Sequence, residues 1–353
     1  MKKIALMTQW HPFSGGGKYA FDLFYRFKRK YAADMIYFEY ESNKISYGEK
    51  DNVIKIRKSV FNFLDKTLMT YYYFPKHIPE GYDLYHATNQ FLARVAKYRK
   101  PCVITHMDII PMLFPKGKFA PIGFFLKRLL SQYKEAEHII ALSEVVKNEL
   151  LEQINIPDEK VTVIPPGFNE KNYLPIQKQT ARKILNLPLN KKIILNIGSE
   201  EPDKGIPQLL DCFAKLKKED NNLLLVRVGS SDSKYDLLKK KLGVAHFKNV
   251  PEEKMPFFYS AADVFAAPLA YGAGFVYPPL EAIACGTPAL VSNLDFPGYV
   301  NVTSEAFHDM LQKILYDNSF RKRLIAKGLE ESKKFTLTKE VEKINKIYKK
   351  VLE

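Results

Sequence analysis

Short runs of consecutive apolar residues alternate along this chain with longer stretches whose apolar residues recur every three or four positions. That alternation predicts βα units closing on parallel sheets. The first series of strand-like runs is Lys3–Thr8, Met35–Phe38, Leu84–His86, Cys102–Thr105, His138–Ala141 and Val161–Ile164. The second is Lys192–Ile197, Leu223–Val228, Val244–Phe247, Val264–Ala267 and Pro288–Val291. Between the series, Pro165, Pro166, Gly167 and Pro175 punctuate the chain as a hinge would. The pattern predicts an α/β protein of two Rossmann-like domains whose parallel sheets face each other across a cleft. The expected boundaries are 1–168, 169–335 and a lysine-rich amphipathic helix over 336–353.

Composition adds limits. A chain of 353 residues accommodates two domains of ordinary size, and 46% apolar residues argue for packed cores. No apolar run reaches the ~20 residues that span a bilayer. The apolar part of MKKIALMTQW is too short for a secretory signal, so it reads as a first strand and the expected location is cytoplasmic. Cys102, Cys212 and Cys285 lie far apart in apolar segments without metal spacing, and read as reduced core residues with no metal expected. A net charge of +15 favours phosphate-bearing partners: nucleic acid, anionic lipid or a nucleotide substrate. The lysines are spread along the whole length and no base-reading motif appears, so nucleic acid is not expected.

Three loops carry candidate chemistry. In the stretch AYGAGFVYPPLEAIACG, small residues approach a ligand closely, Pro278 and Pro279 start a helix, and Glu281 is expected to open it. Such a helix N-terminus can bind an anion, and a carboxylate there can bind sugar hydroxyls; an ordinary βα corner with a capping glutamate is the plain alternative. Gly15, Gly16 and Gly17 follow the first strand and precede a helical pattern from about Tyr19, without the dinucleotide spacing. Gly198–Gly205 leads into a helix over Ile206–Leu216. Lys204 beside that N-terminus could neutralise a diphosphate, or be a solvated lysine.

Taken together these motifs resemble the retaining glycosyltransferases of family four, which have the GT-B fold. The resemblance runs in order through Gly15–Gly17, ITHMDIIP, IIALSEVVKNEL, VIPPGFN, NIGSEEPDKG and GAGFVYPPLEAIACGTP, across nearly the whole chain. It implies transfer of a sugar from a nucleotide-diphosphate sugar with retention, by a front-face route that needs neither protein nucleophile nor cofactor. It implies that Lys204 clamps the donor diphosphate and that Glu281 holds the nucleotide ribose. Gly274, Phe275, Val276 and Tyr277 would reach the sugar and distal phosphate, with Gly16 against the diphosphate. The nucleobase would lie near Asn249, Val250 and Pro251. The sequence departs from the family at three points. Ala273 stands eight positions before Glu281, where the first glutamate of a pair belongs; Ser199 replaces an arginine; and Met107-Asp108 stands where His-Asp belongs, with His106 one place early.

His106 and Asp108 are therefore catalytic-side candidates, and His86 and Asn89, at the end of another strand, are acceptor-side candidates. Each histidine has a structural role as its alternative, and Ser143 reads first as a helix cap. Phe114–Tyr133 carries Lys116, Lys118, Lys127 and Arg128 around an apolar stripe, a pattern that suits either an anionic membrane surface or packing on a sheet. Exposed, it would favour a lipid-linked acceptor and a peripheral position on the inner membrane face. Outside retaining transfer, the alternatives are a degenerate nucleotide-sugar-binding subunit, which Ala273 and Met107 motivate, and a nucleotide-sugar epimerase.

Overall fold

The computed structural model describes residues 1–10, 12, 14–40, 53–56, 72–108, 128–230, 233–270, 276–294 and 296–353. The chain divides into two compact units. One comprises Met1–Pro166 with Leu337–Glu353, the other Gly167–Gly272 with Val276–Thr336.

The first unit is built on strands β1 (Lys3–Thr8), β2 (Ala32–Tyr40), β3 (Val53–Ile56), β4 (Leu84–Ala87), β5 (Cys102–His106), β6 (His138–Ala141) and β7 (Val161–Val163). They form a seven-stranded parallel sheet in the order β3-β2-β1-β4-β5-β6-β7. Strand order reverses between β1 and β4, and in such sheets ligands sit beyond the carboxyl ends at that reversal. Helix α1 (Gly15–Phe27) follows β1, and α2 (Glu144–Gln153) follows β6. Every residue of β4, β5 and β6 is buried, as continuous apolar strands covered on both faces should be.

The second unit contains α3 (Lys178–Ile184), β8 (Lys192–Ile197), α4 (Ile206–Glu219), β9 (Leu223–Val228), α5 (Asp236–Leu242), β10 (Ala245–Phe247), α6 (Met255–Ala261), β11 (Val264–Ala267), α7 (Tyr277–Ala284), β12 (Ala289–Ser292), β13 (Val300–Val302), α8 (Phe307–Tyr316) and α9 (Asn318–Ser332). Its six-stranded parallel sheet runs β10-β9-β8-β11-β12-β13, with the reversal between β8 and β11.

The last helix, α10 (Leu337–Leu352), belongs to the first unit. Val341, Ile344, Ile347 and Tyr348 bury one stripe of it. Tyr348 packs its ring 4.8 Å from that of Phe27, and Tyr31 donates to Asn345 at 2.7 Å.

The predicted strand starts and ends agree with the structure to within a residue or two for most elements, and coincide at β1, β6, β8, β9 and β11. Two edge strands, β3 and β13, escape the sequence reading; each is short and has a neighbour on one side only. Two helix starts also differ. Gly15–Gly17 are the first turn of α1 and do not precede it, because Ser14 caps the helix by accepting from the Gly17 amide at 3.1 Å. Glu281 does not open α7; that helix begins at Tyr277 with Pro278 and Pro279 in its first turn, so Glu281 falls in the second.

Candidate functional site

In the second unit, the loop leaving β8 and the segment leaving β11 meet at the sheet's reversal. Lys204 ends a short turn over Pro202–Lys204, and its ammonium lies 2.7 Å from Asp203. The Ala270 amide donates to the Asp203 carbonyl at 2.9 Å, tying this turn to the chain beyond β11. Gly205 then enters α4 with φ of 63°, and a methyl group there would stand 1.6 Å from the Pro268 carbonyl oxygen. Only glycine meets both demands, so it is what allows the lysine turn to close down on the neighbouring segment. Ser199 is half-buried in the same loop.

Glu281 is 4% exposed on α7 and accepts from the Tyr259 hydroxyl at 2.6 Å. Burial and this carboxylate together push the Tyr259 phenol well above its usual range. Tyr173, buried nearby, donates to Glu252 at 2.6 Å, in the turn following Asn249, Val250 and Pro251. Asn249 takes a left-handed conformation just past β10 and is exposed. Val276 caps α7 with an extended backbone, and Val276 and Tyr277 are half-buried. Gly274 and Phe275, like Ala273, lie outside the described residues.

In the first unit, the polar ends of β1, β4 and β5 line up. The register pairs Met7 with Ala87 and Ala87 with Ile104. Gln9, Asn89 and His106 each stand two residues beyond these, Gln9 and Asn89 just past the ends of β1 and β4 and His106 at the end of β5. Asn89 is fully buried and caps the following turn by accepting from the Phe91 amide at 3.1 Å, while its Nδ2 has no partner. His106 is fully buried, its Nδ1 2.9 Å from the Tyr133 hydroxyl and its Nε2 without a partner. Gln9 Oε1 is a third buried polar atom left unpaired. Orphaned buried polar atoms are costly, and these three stand at the carboxyl ends of the strands on and beside the sheet reversal, which makes them candidates for contact with a polar ligand. The N-terminus of α1 follows β1 at the same end of the sheet. There a methyl group on Gly16 would lie 1.9 Å from the Trp10 ring, so Trp10 lies directly on that glycine.

The two histidines differ. His86 is fully buried in β4 with Nδ1 2.5 Å from the Tyr348 hydroxyl and Nε2 2.8 Å from Thr105 Oγ1, and Thr105 in turn bonds Tyr19 at 3.0 Å. The expected acceptor contact through this ring is corrected to a core role, since neither nitrogen is available. His106 is the last residue of β5 and keeps Nε2 without a partner. Burial lowers the pKa of both rings to about 3, so each is neutral near pH 7. Asp108 follows two residues on, and Gln90 bridges the segment, its Nε2 donating to the Asp108 carbonyl and its Oε1 accepting from the Met107 amide. Ser143 caps α2 by accepting from the Val146 amide at 3.1 Å, as the sequence suggested.

Two family models match this chain. "Glycosyltransferase Family 4" covers residues 13–172 and "Glycosyl transferases group 1" covers 177–334. The chain belongs to the family-four glycosyltransferases.

Among curated relatives, the D-inositol 3-phosphate glycosyltransferase of Corynebacterium diphtheriae is 26% identical over 57% of this chain and 53% of its own length. The O-antigen chain mannosyltransferase B of Escherichia coli is 26% identical over 72% of this chain and 70% of its own. The chain thus spans about half the length of the first of these relatives and about two thirds of the second. Among solved structures, a sucrose-phosphate synthase from Thermosynechococcus elongatus superposes with a TM-score of 0.84 at 20% identity, covering 99% of both chains. The Anabaena protein Alr3699/HepE, in complex with UDP and glucose, gives 0.75 at 17% identity, over 99% of this chain and 100% of that one. These likenesses establish the GT-B fold for this glycosyltransferase.

Sequence reasoning overlooked three residues of the glycosyltransferase. Gln9 gave no signal in the sequence; the structure shows its Oε1 buried and unpaired just past the end of β1. Arg227, fully buried in β9, was visible as the one charge inside LLLVRV. Lys239, 3% exposed, is hidden within a run of three lysines. Most of Phe114–Tyr133 lies outside the described residues; of its apolar stripe, Leu129, Leu130 and Tyr133 are buried in the first unit. Among the described residues no helix is long and apolar enough to cross a membrane, and no group of side chains could hold a metal ion.

Proposed function

We propose that this glycosyltransferase moves a sugar from a nucleotide-diphosphate sugar to a hydroxyl of a glycan or lipid-linked acceptor, with retention of configuration. The observation that carries the reading is the set of unpaired buried polar atoms on Gln9, Asn89 and His106, at the carboxyl ends of the strands on and beside the reversal of the first sheet. An acceptor hydroxyl both donates and accepts, and this set offers an acceptor on Gln9, a donor on Asn89 and a neutral ring nitrogen on His106. The Anabaena neighbour solved with UDP and glucose supports a nucleotide sugar as donor. Relatives named for O-antigen chains support a growing glycan as acceptor.

In this reading the second unit holds the donor. Lys204 and the N-termini of α4 and α7 stabilise the charge that develops on the leaving diphosphate. Glu281 anchors the ribose, and the main chain at Val276 and Tyr277 approaches the distal phosphate. The bond from the anomeric carbon to the diphosphate oxygen breaks, and its electron pair stays on the phosphate. The acceptor oxygen bonds the same face of that carbon, and its proton passes to the departing phosphate. Neither Lys204 nor His106 becomes covalently attached.

Purified protein should release nucleoside diphosphate from one member of a panel of UDP-, GDP- and ADP-sugars when a matching acceptor is supplied. The product's anomeric configuration, read by NMR coupling constants, should equal the donor's. Failure of every donor to bind or turn over sinks transfer, and an inverted product sinks retention.

A further inference from the structure

The diphosphate loop of the second unit rests on a buried ionic cluster that no part of the chemistry above uses. Arg227, fully buried in β9, reaches sideways to the neighbouring strand β8 and its loop. Its guanidinium donates to Asn196 Oδ1, to the Gly198 carbonyl at 3.2 Å and to Glu200 Oε1 at 3.2 Å. Those acceptors sit on alternate residues of one stretch, at the point where β8 becomes the loop that carries Lys204. Lys239 of α5 closes the cluster from the other side, 2.8 Å from the same Glu200 oxygen. Glu200 is itself only 5% exposed.

A guanidinium presents its donors in a fixed planar fork, which an ammonium cannot copy. Burying two cations and a carboxylate is expensive, and a well-packed apolar cluster would commonly be as stable or more so. Stability alone therefore gives little reason for an arginine in the middle of an apolar strand. Its Nε also remains without a partner, a further cost borne at this position. What the fork does accomplish is to fix the main chain of Gly198–Glu200 relative to β9.

We propose that Arg227 is a positioning residue for donor binding: its fork on Asn196, Gly198 and Glu200 holds the diphosphate loop in the conformation that presents Lys204 and the α4 amides. This inference rests on the donor-site reading given above. It assigns the effect to geometry and not to the arginine's charge, and the two make opposite predictions.

The test is calorimetric titration of UDP, GDP and ADP into wild type, Arg227→Lys and Glu200→Gln, with melting temperatures recorded for each. Arg227→Lys keeps the charge and loses the fork, and should weaken the tightest-bound nucleotide about tenfold at a temperature where the protein is folded. Glu200→Gln removes a negative charge but loosens the same loop, and should weaken binding about threefold. Unchanged affinity in folded Arg227→Lys overturns the proposal. So does tighter binding by Glu200→Gln, which a purely electrostatic role requires. If Arg227→Lys does not fold, the Glu200→Gln result decides. Wild-type protein that binds none of the three nucleotides removes the donor-site reading and this inference with it; wild-type binding unaffected by either substitution removes the inference alone.

Discussion

The Tyr259 hydroxyl stands 2.6 Å from a carboxylate oxygen of Glu281, joining α6 to α7 through a charge-assisted hydrogen bond inside the second unit. A carboxylate buried this deeply keeps its charge only while donors surround it. Tyr259→Phe takes one donor away and leaves the ring in place. It should cost about 1–3 kcal/mol of stability, measured by urea denaturation, and should weaken nucleotide binding as Glu281 reorients. Loss of stability with unaltered nucleotide affinity would separate Glu281 from the ribose.

Lys204 touches the rest of the unit lightly, with an ion pair to adjacent Asp203 and a partly exposed side chain. Lys204→Met should therefore leave the melting temperature within a few degrees of wild type. Loss of a pre-placed charge on the leaving group should lower kcat/KM by about 10²–10³. A variant that retains more than a third of wild-type kcat/KM would show that the clamp lies elsewhere.

Replacing Gly205 by alanine asks for a left-handed backbone and puts a methyl group against the Pro268 carbonyl. Backbone cannot yield as a flexible side chain would. The expected loss is roughly 2–4 kcal/mol, with weaker nucleotide binding even where the variant folds. Circular dichroism melts and nucleotide titration on the same preparation check both parts.

His86 and His106 have pKa values near 3 in the folded protein, against 6.5 for an ordinary ring. Between those values the unfolded chain binds protons that the folded one refuses. Stability is thus complete above about pH 6.5 and is lost as pH falls toward 3, by up to ~1.4 kcal/mol per pH unit for each ring. Urea midpoints should fall between pH 6.5 and 4.5, and His86→Gln should reduce that slope by about one proton. A midpoint that holds steady or rises on acidification would contradict the burial of these rings.

Trp10 is the chain's single tryptophan and lies over Gly16, edge-on to Phe91 at 5.8 Å. Gly16→Ala must push the indole aside, and its emission should shift and its contact with Phe91 open. If an acceptor contacts Gln9, Asn89 and His106, wild-type emission should respond to acceptor and that response should vanish in Gly16→Ala. Emission indifferent to a turned-over acceptor would place the acceptor away from these residues.

Much of the fold could be read from the sequence because buried parallel strands are continuous apolar runs, and those are the easiest elements to recognise. His138–Ala141 and Leu223–Val228 are cases where the apolar run and the strand coincide. Val300–Val302 was not legible, being three residues long on a sheet edge and alternating in exposure. The loops of the site were legible as motifs, whereas the partners of their side chains were not. Glu281 is held by Tyr259 and His86 by Tyr348, separations of 22 and 262 residues that no local pattern encodes. The same holds for Gln9, Asn89 and His106, which the parallel order of β1, β4 and β5 brings to one end of the first sheet.

The helix at 337–352 carries a consequence for how this protein is made. Translation delivers β1 through β7 early, yet the Phe27 ring and the His86 nitrogen stay uncovered until Tyr348 has left the ribosome. Within this chain the first unit therefore draws its closing helix from beyond the second, so its packing around Phe27 and His86 depends on residues made after the second unit. A deletion that removes those turns will damage α1 and β4, more than 250 residues away in sequence and in direct contact with Tyr348 in space.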